Sequence, residues 1–343
     1  TMYSLLIMTL TTSTVITLES HHWLLAWLSL EMNTLAMIPI ISKPHTPRAT
    51  EAATKYFMIQ ALAAAMILFS SIINAWQTGH WTITGTTSTT ATTILTLALI
   101  MKLGLAPAHF WYPEVIQGTT MTTALILSTW QKLAPLALMY MTLHQLPQAT
   151  TLTIGLLSAL VGGWAGLNQT QTRKIMAFSS IAHMGWLLTA LTLNHSLVTL
   201  TMMIYITMTT TMFTTLMHTT TKTLSDMATT WTHSPLLLSS TTLTLMSLSG
   251  LPPLTGFAPK WLITKELISI ELLPLATALL LASLPSLFFY IRLAYFTTLT
   301  APPSNTNNQL NWRFKTPPPK PLALMITTTM LLLPLTPLMY QTL

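Results

Sequence analysis

Cysteine is absent from all 343 residues. That excludes disulfides and cysteinyl iron–sulfur ligation within this chain. Charge is scarce as well: Asp, Glu, Lys and Arg together make up 6%, where a soluble domain carries about a quarter. With 51% hydrophobic residues and a mean hydropathy of +0.58, the composition is that of a helical integral membrane protein. Neither a G-x-G-x-x-G fingerprint nor a P-loop lysine occurs, so any nucleotide or redox chemistry must reside in other chains. The formal net charge of +7 falls in loops too short to form a nucleic-acid surface, and reads as membrane topology. The beginning of the sequence has neither the basic region of a signal peptide nor the Arg-rich pattern of a transit peptide.

What is present are apolar runs of about twenty residues separated by polar, Pro or Gly punctuation. They predict an all-α polytopic membrane protein of about eleven spans, near residues 2–18, 23–42, 54–75, 91–112, 122–143, 151–168, 175–193, 196–217, 236–263, 272–297 and 322–340. Many spans are rich in Thr, which membrane helices tolerate because the hydroxyl bonds back to a carbonyl one turn earlier.

One pattern occurs twice. Gly104-Leu105-Ala106-Pro107 and Gly250-Leu251-Pro252-Pro253 share Gly, Leu and the final Pro at a constant offset of 146, and Pro113 recurs as Pro259 at the same offset. Each interrupts a long apolar run with residues that cannot continue a helix, so each predicts a broken span. Backbone freed at membrane depth survives only where protein or water satisfies it, so paired breaks point to an internal site. The breaks lie in the fourth and ninth spans, five crossings apart, which predicts two inverted five-helix repeats, 1–145 and 146–300. Residues 301–343 then form an inner loop and a terminal helix, all within a single membrane domain.

Charge placement is consistent with this count. Alternating spans put Lys43, Arg48, Glu51, Lys55, Glu114, Arg173, Lys174, Lys222, Asp226, Arg313, Lys315 and Lys320 in loops on the N-terminal side. Glu19, Lys265, Glu266 and Glu271 fall on the other. Nine basic residues against one puts the N-terminus on the inner side. The exceptions are Glu31, Lys102 and Lys132, near the middles of spans two, four and five, and Lys260 after the second break. An ionisable group at such depth costs about 2.5–3.5 kcal/mol on insertion scales, so each needs a partner or water. Static ion pairs between helices are one reading. The other is a proton relay: burial disfavours a charged amine and a nearby carboxylate favours it, so a Glu31–Lys102 pair that opens and closes would switch the lysine.

His109 beside the first break and His183 inside the seventh span could pass protons near neutral pH, or could serve as hydrogen-bonded packing residues. Arg292 reads as an anchor that snorkels to the inner surface. His21, His22, His80, Trp76 and Trp81 sit at span ends and look interfacial. The adjacent His21 and His22 point apart on a helix and lack a third ligand, so no metal site is expected.

Several stretches resemble a known family. These are His22-Trp23-Leu24-Leu25-Ala26-Trp27 through Glu31-Met32-Asn33, Arg48-Ala49-Thr50-Glu51-Ala52-Ala53, Met101-Lys102-Leu103-Gly104 and Thr129-Trp130-Gln131-Lys132-Leu133-Ala134-Pro135. Gly162-Gly163-Trp164-Ala165-Gly166-Leu167-Asn168-Gln169 and the second break through Lys260-Trp261 belong to the same set. Together they resemble the vertebrate chain 2 family of mitochondrial NADH:ubiquinone oxidoreductase, respiratory complex I, over residues 20–300. Ala108 departs from the Phe expected there.

The resemblance implies an antiporter-like subunit of the proton-pumping arm, in a form shorter than its bacterial relatives. Its relay would comprise Glu31, Lys102, Lys132 and Lys260. It also implies a multi-pass protein of the mitochondrial inner membrane, with the N-terminus on the matrix side. The partners would be other membrane-arm subunits and lipids such as cardiolipin, with Arg313, Lys315 and Lys320 facing anionic headgroups. No cofactor is expected in this chain; NADH, FMN, iron–sulfur clusters and ubiquinone would be bound by other subunits. A stand-alone cation/proton antiporter and a purely structural spacer of the membrane arm are the alternatives.

Overall fold

The computed structural model describes residues 2–85, 88–230, 235–299 and 321–342. Among these the secondary structure is helical, with two isolated β-bridges. The chain divides into two compact units, Thr1–Ser158 and Ala159–Leu343, with the division inside one helix.

In the first unit the helices are α1 (Met2–Glu19), α2 (Trp23–Ser42), α3 (Pro47–Thr78), α4 (Thr89–Leu103), α5 (Trp111–Gly118), α6 (Met121–Ser128) and α7 (Leu133–Met141). α3 packs against α2, α4 and α5, and α1 against α2 and α7. Its start is set by Pro47 in the first turn and by the Thr46 hydroxyl, which accepts from the Ala49 N–H. The helix α8 (Gln148–Gly166) contains the division.

The second unit continues with α9 (Thr172–Leu193), α10 (His195–Thr219), α11 (Leu224–Thr229), α12 (Pro235–Ser249), α13 (Phe257–Ser269), α14 (Leu273–Leu299), α15 (Pro321–Leu331) and α16 (Thr336–Thr342). α9 is buried almost all round, packed by α10, α13 and α14. α8 reaches it through Gly162, where a Cβ would lie 2.6 Å from the Ala182 nitrogen. Small residues let membrane helices approach this closely. Leu281, Leu284 and Phe288 on α14 are exposed, a liability in water and an ordinary surface in lipid.

Among the described residues, seven helices, α1, α2, α3, α8, α9, α10 and α14, are long and apolar enough to cross a membrane, and α15 with Leu333–Tyr340 makes an eighth candidate bent by 63°. The apolar helices α4 and α12 have 15 residues each. At 1.5 Å per residue they reach about 22 Å, short of the roughly 30 Å hydrocarbon layer. Each stops at one of the two breaks foreseen in the sequence.

Three expectations change. The fifth span is not one helix: α6 ends at Ser128, Trp130–Lys132 form a 3₁₀ turn, and α7 begins at Leu133. Pro135 cannot donate to the Gln131 carbonyl, so the ladder is interrupted there. Second, Arg48, Glu51, Lys55, Glu114, Arg173, Lys174 and Asp226 lie within helices and not in loops. Asp226 closes a capping box with Thr223. Its carboxyl is held below the usual carboxylate range by the backbone N–H groups of Thr223 and Lys222. Third, Arg292 does more than snorkel, because its guanidinium donates to the Leu167 carbonyl at 2.7 Å, just past the end of α8. Arg313, Lys315 and Lys320 lie outside the described residues. The threonine expectation holds throughout, as in Thr17 to the Thr14 carbonyl at 2.6 Å and Thr215 to that of Met212 at 2.8 Å.

Candidate functional site

Both breaks are built the same way. The Gly104 N–H bonds the Met101 carbonyl at 3.2 Å and the Leu105 N–H that of Ile100 at 3.1 Å. In the second unit the Gly250 N–H bonds Ser247 at 3.0 Å and the Leu251 N–H bonds Met246 at 3.5 Å. These are paired Schellman caps, which require a left-handed residue. Gly104 and Gly250 supply it with φ of 72° and 82°, values that cost a residue with a Cβ about 1–2 kcal/mol. The recurring Gly-Leu therefore ends the helix, and the following proline prevents its resumption.

In the first unit the break borders a small cavity, with room for about one or two waters, lined by Lys102, Lys132, Gln60, Asn33, Thr34, Tyr112 and Gln131 among others. Lys102 lies in the last turn of α4, where the carbonyl end of the helix favours a cation. Its Nζ is buried and has no hydrogen-bond partner. Lys132 enters from the α6–α7 turn, 3% exposed, with Nζ 4.8 Å from the Tyr112 ring centroid. That contact is worth about 2 kcal/mol to a desolvated ammonium. Gln131 donates to Asn33 at 2.8 Å, fastening this turn to α2. Gln60 approaches the Lys102 carbonyl at 3.5 Å.

Glu31 is not in this lining. It is half-buried, and its carboxylate accepts from the Thr34 hydroxyl at 3.1 Å. The ion pair expected with Lys102 is not formed. Among the described residues the salt bridge is Lys55 to Glu114, 2.6 Å long and about half exposed at both ends, joining α3 to α5. His109 is buried beside the break with Nδ1 3.2 Å from the Pro107 carbonyl, and is not among the lining residues.

The second unit has its own small cavity, lined by both Lys260 and His183 among others. Lys260 donates to the Ser249 carbonyl at 2.8 Å, so the ammonium caps the carbonyl end of α12 across the break. His183 Nε2 lies 3.4 Å from the Tyr290 hydroxyl, and its ring centroid 5.9 Å from that of Tyr205. The structure thus brings together Lys102 with Lys132, and separately Lys260 with His183. It leaves Glu31 and His109 out of both linings.

The uncharged polar partners were not read from the sequence. Asn33, Gln60 and Gln131 were visible as polar side chains in apolar spans, a weaker form of the signal carried by the charges.

The family profile described as NADH:quinone oxidoreductase/Mrp antiporter, TM, matches residues 20–285. One described as NADH dehydrogenase subunit 2 C-terminus matches residues 287–340. NADH-ubiquinone oxidoreductase chain 2 of Coturnix japonica is 53% identical over 332 residues, covering 97% of this chain and 96% of that one. The chain belongs to the NADH-ubiquinone oxidoreductase chain 2 family. Its counterpart in Struthio camelus is 52% identical over 325 residues, 95% of this chain and 94% of the relative. A chain in the structure of respiratory complex I from Thermus thermophilus superposes with a TM-score of 0.83 at 26% identity, covering 97% of this chain and 79% of that one. The Mrp complex from Dietzia shows the same fold, with a TM-score of 0.83 at 14% identity over 98% of this chain and 75% of that one.

Proposed function

We propose that this chain is a membrane-arm subunit of the proton-translocating NADH:ubiquinone oxidoreductase, and that its buried lysines carry protons through the membrane. NADH oxidation, ubiquinone reduction and the redox groups they need are assigned to other subunits. The observation that carries the relay is Lys102: a buried amine with no fixed hydrogen-bond partner, in a polar-lined cavity shared with Lys132. Such a group loses little structure on changing protonation, whereas a lysine locked in a buried ion pair would lose several kcal/mol. Moving one charge across 100 mV costs about 2.3 kcal/mol, so rearrangement in neighbouring subunits must drive the transfer.

Counting each interrupted pair, α4–α5, α6–α7, α12–α13 and α15–α16, as one crossing adds four to the seven continuous spans. That supports eleven crossings. Two five-span repeats are supported by the matching caps and by a second correspondence. The bridge His22–Thr82 joins the segment before α2 to the one after α3, and the bridge Gln171–Thr223 joins the segment before α9 to the one after α10. Five crossings per repeat give the two repeats opposite directions of insertion, with the N-terminus on the matrix side of the mitochondrial inner membrane. The neighbours there would be other membrane-arm subunits and anionic lipids.

The test is Lys102→Ala in the assembled enzyme in sealed vesicles, with quinone reduction and proton pumping measured separately. The expected result is a lowered ratio of protons pumped to electrons transferred. An unchanged ratio at full electron flux overturns the relay.

A further inference from the structure

We propose that the Thr34 hydroxyl is the proton-conducting link between the Glu31 carboxyl and the cavity of Lys102 and Lys132. This rests on the relay reading above and adds to it the step by which Glu31, which lies outside the cavity lining, communicates with the lysines. On α2 the residues lining the cavity are Leu30, Asn33 and Thr34. At about 100° per residue they share one face, and Glu31 stands roughly 100° round the helix from its centre but only about 60° from Thr34. Thr34 is therefore the side chain at the seam. It lines the cavity, is 5% exposed, and lies 3.1 Å from Glu31 Oε2.

Most hydroxyls in these helices only bond back to a carbonyl one turn earlier, as Ser29 does to Ala26 at 2.8 Å. Thr34 makes that bond too, to the Glu31 carbonyl at 2.8 Å, but also reaches the carboxylate. A hydroxyl both donates and accepts, so it can take a proton on one side and release one on the other. The Glu31 O–H bond breaks as a bond to Thr34 Oγ1 forms. The original Thr34 hydroxyl proton, turned from the Glu31 carbonyl toward the cavity, leaves there, and water carries it to the neutral Lys102 amine. The carboxylic acid becomes a carboxylate, the hydroxyl is restored and the amine becomes an ammonium, so proton and charge balance. Asn33, fixed to Gln131 at 2.8 Å, holds this face of α2 against the Lys132 turn.

The experiment compares Thr34→Val, which keeps the shape and removes the hydroxyl, with Thr34→Ser, which keeps the hydroxyl. Ser29→Ala is the control that removes only a back-bond. Each is introduced into the assembled enzyme in vesicles, and protons pumped per electron are measured together with quinone reduction. Val is expected to lower the ratio, with Ser restoring it and Ser29→Ala leaving it unchanged. An unchanged ratio in Val overturns the proposal, and so does an equal loss in Val and Ser, which is a packing effect. If Val does not assemble, Thr34→Ala replaces it under the same criteria. Glu31→Gln is run alongside: a full ratio there sinks the relay itself, whereas a loss there with none in Val sinks only the Thr34 link.

Discussion

Asn33 and Gln131 are 98 residues apart in the chain, yet their side chains meet at 2.8 Å. A hydrogen bond between buried amides in a membrane protein contributes about 0.6 kcal/mol, and up to roughly 1.7, because the unfolded chain in the bilayer also finds partners. A double-mutant cycle with Asn33→Leu and Gln131→Leu, read by unfolding in detergent micelles, should return a coupling in that range. Additive losses would show that the contact contributes nothing to stability. The charged residues stand out in the sequence because a charge in an apolar span is costly; these amides carry a smaller penalty and so a fainter signal. Glu31 shows the converse. Its chemistry was evident, but whether it faced the lysines depended on which way α2 was rotated about its axis.

Glycine with positive φ ends α3 at Gly79, α4 at Gly104 and α12 at Gly250, and the surroundings of these caps separate structural from functional consequences. A Cβ at Gly79 would meet nothing within 4 Å, whereas one at Gly250 would lie 2.9–3.1 Å from the end of the Lys260 side chain. Gly79→Ala should therefore cost only the left-handed strain, about 1–2 kcal/mol, and leave pumping unchanged. Gly250→Ala should cost more, displace Lys260 from the Ser249 carbonyl and lower the pumping ratio. Thermal unfolding and vesicle pumping of the two variants check this, and equal effects on both measurements would refute it. The two foreseen breaks were legible because Gly-Leu followed by Pro acts within one turn of helix. The third interruption, at Trp130–Lys132, left only Pro135 as a trace, and a lone proline within a span specifies a defect without saying which side chain it will turn inward.

For the whole chain, the absence of cysteine makes insertion directly measurable, since each introduced cysteine is unique. Single cysteines replacing Lys43 or Lys222 should react with an impermeant maleimide from the matrix side, and those replacing Glu19 or Glu271 from the opposite side. Labelling of the cysteines at positions 43 and 222 from opposite sides would refute the eleven-crossing topology, because an even number of spans would no longer separate them. By itself the sequence determined the class of protein, the sites of the two caps, the family and the set of deep charges. Each of these follows from composition, from local residue order or from resemblance along the chain, so no knowledge of packing is needed. Only the tertiary structure decided that Lys102 shares a cavity with Lys132, that Lys260 caps α12 beside His183, and that Glu31 lies outside the first cavity's lining, bonded to Thr34 at its edge. These arrangements depend on how helices far apart in the chain are rotated and seated against one another, and a turn of about 100° about one axis is enough to exchange one neighbour for another.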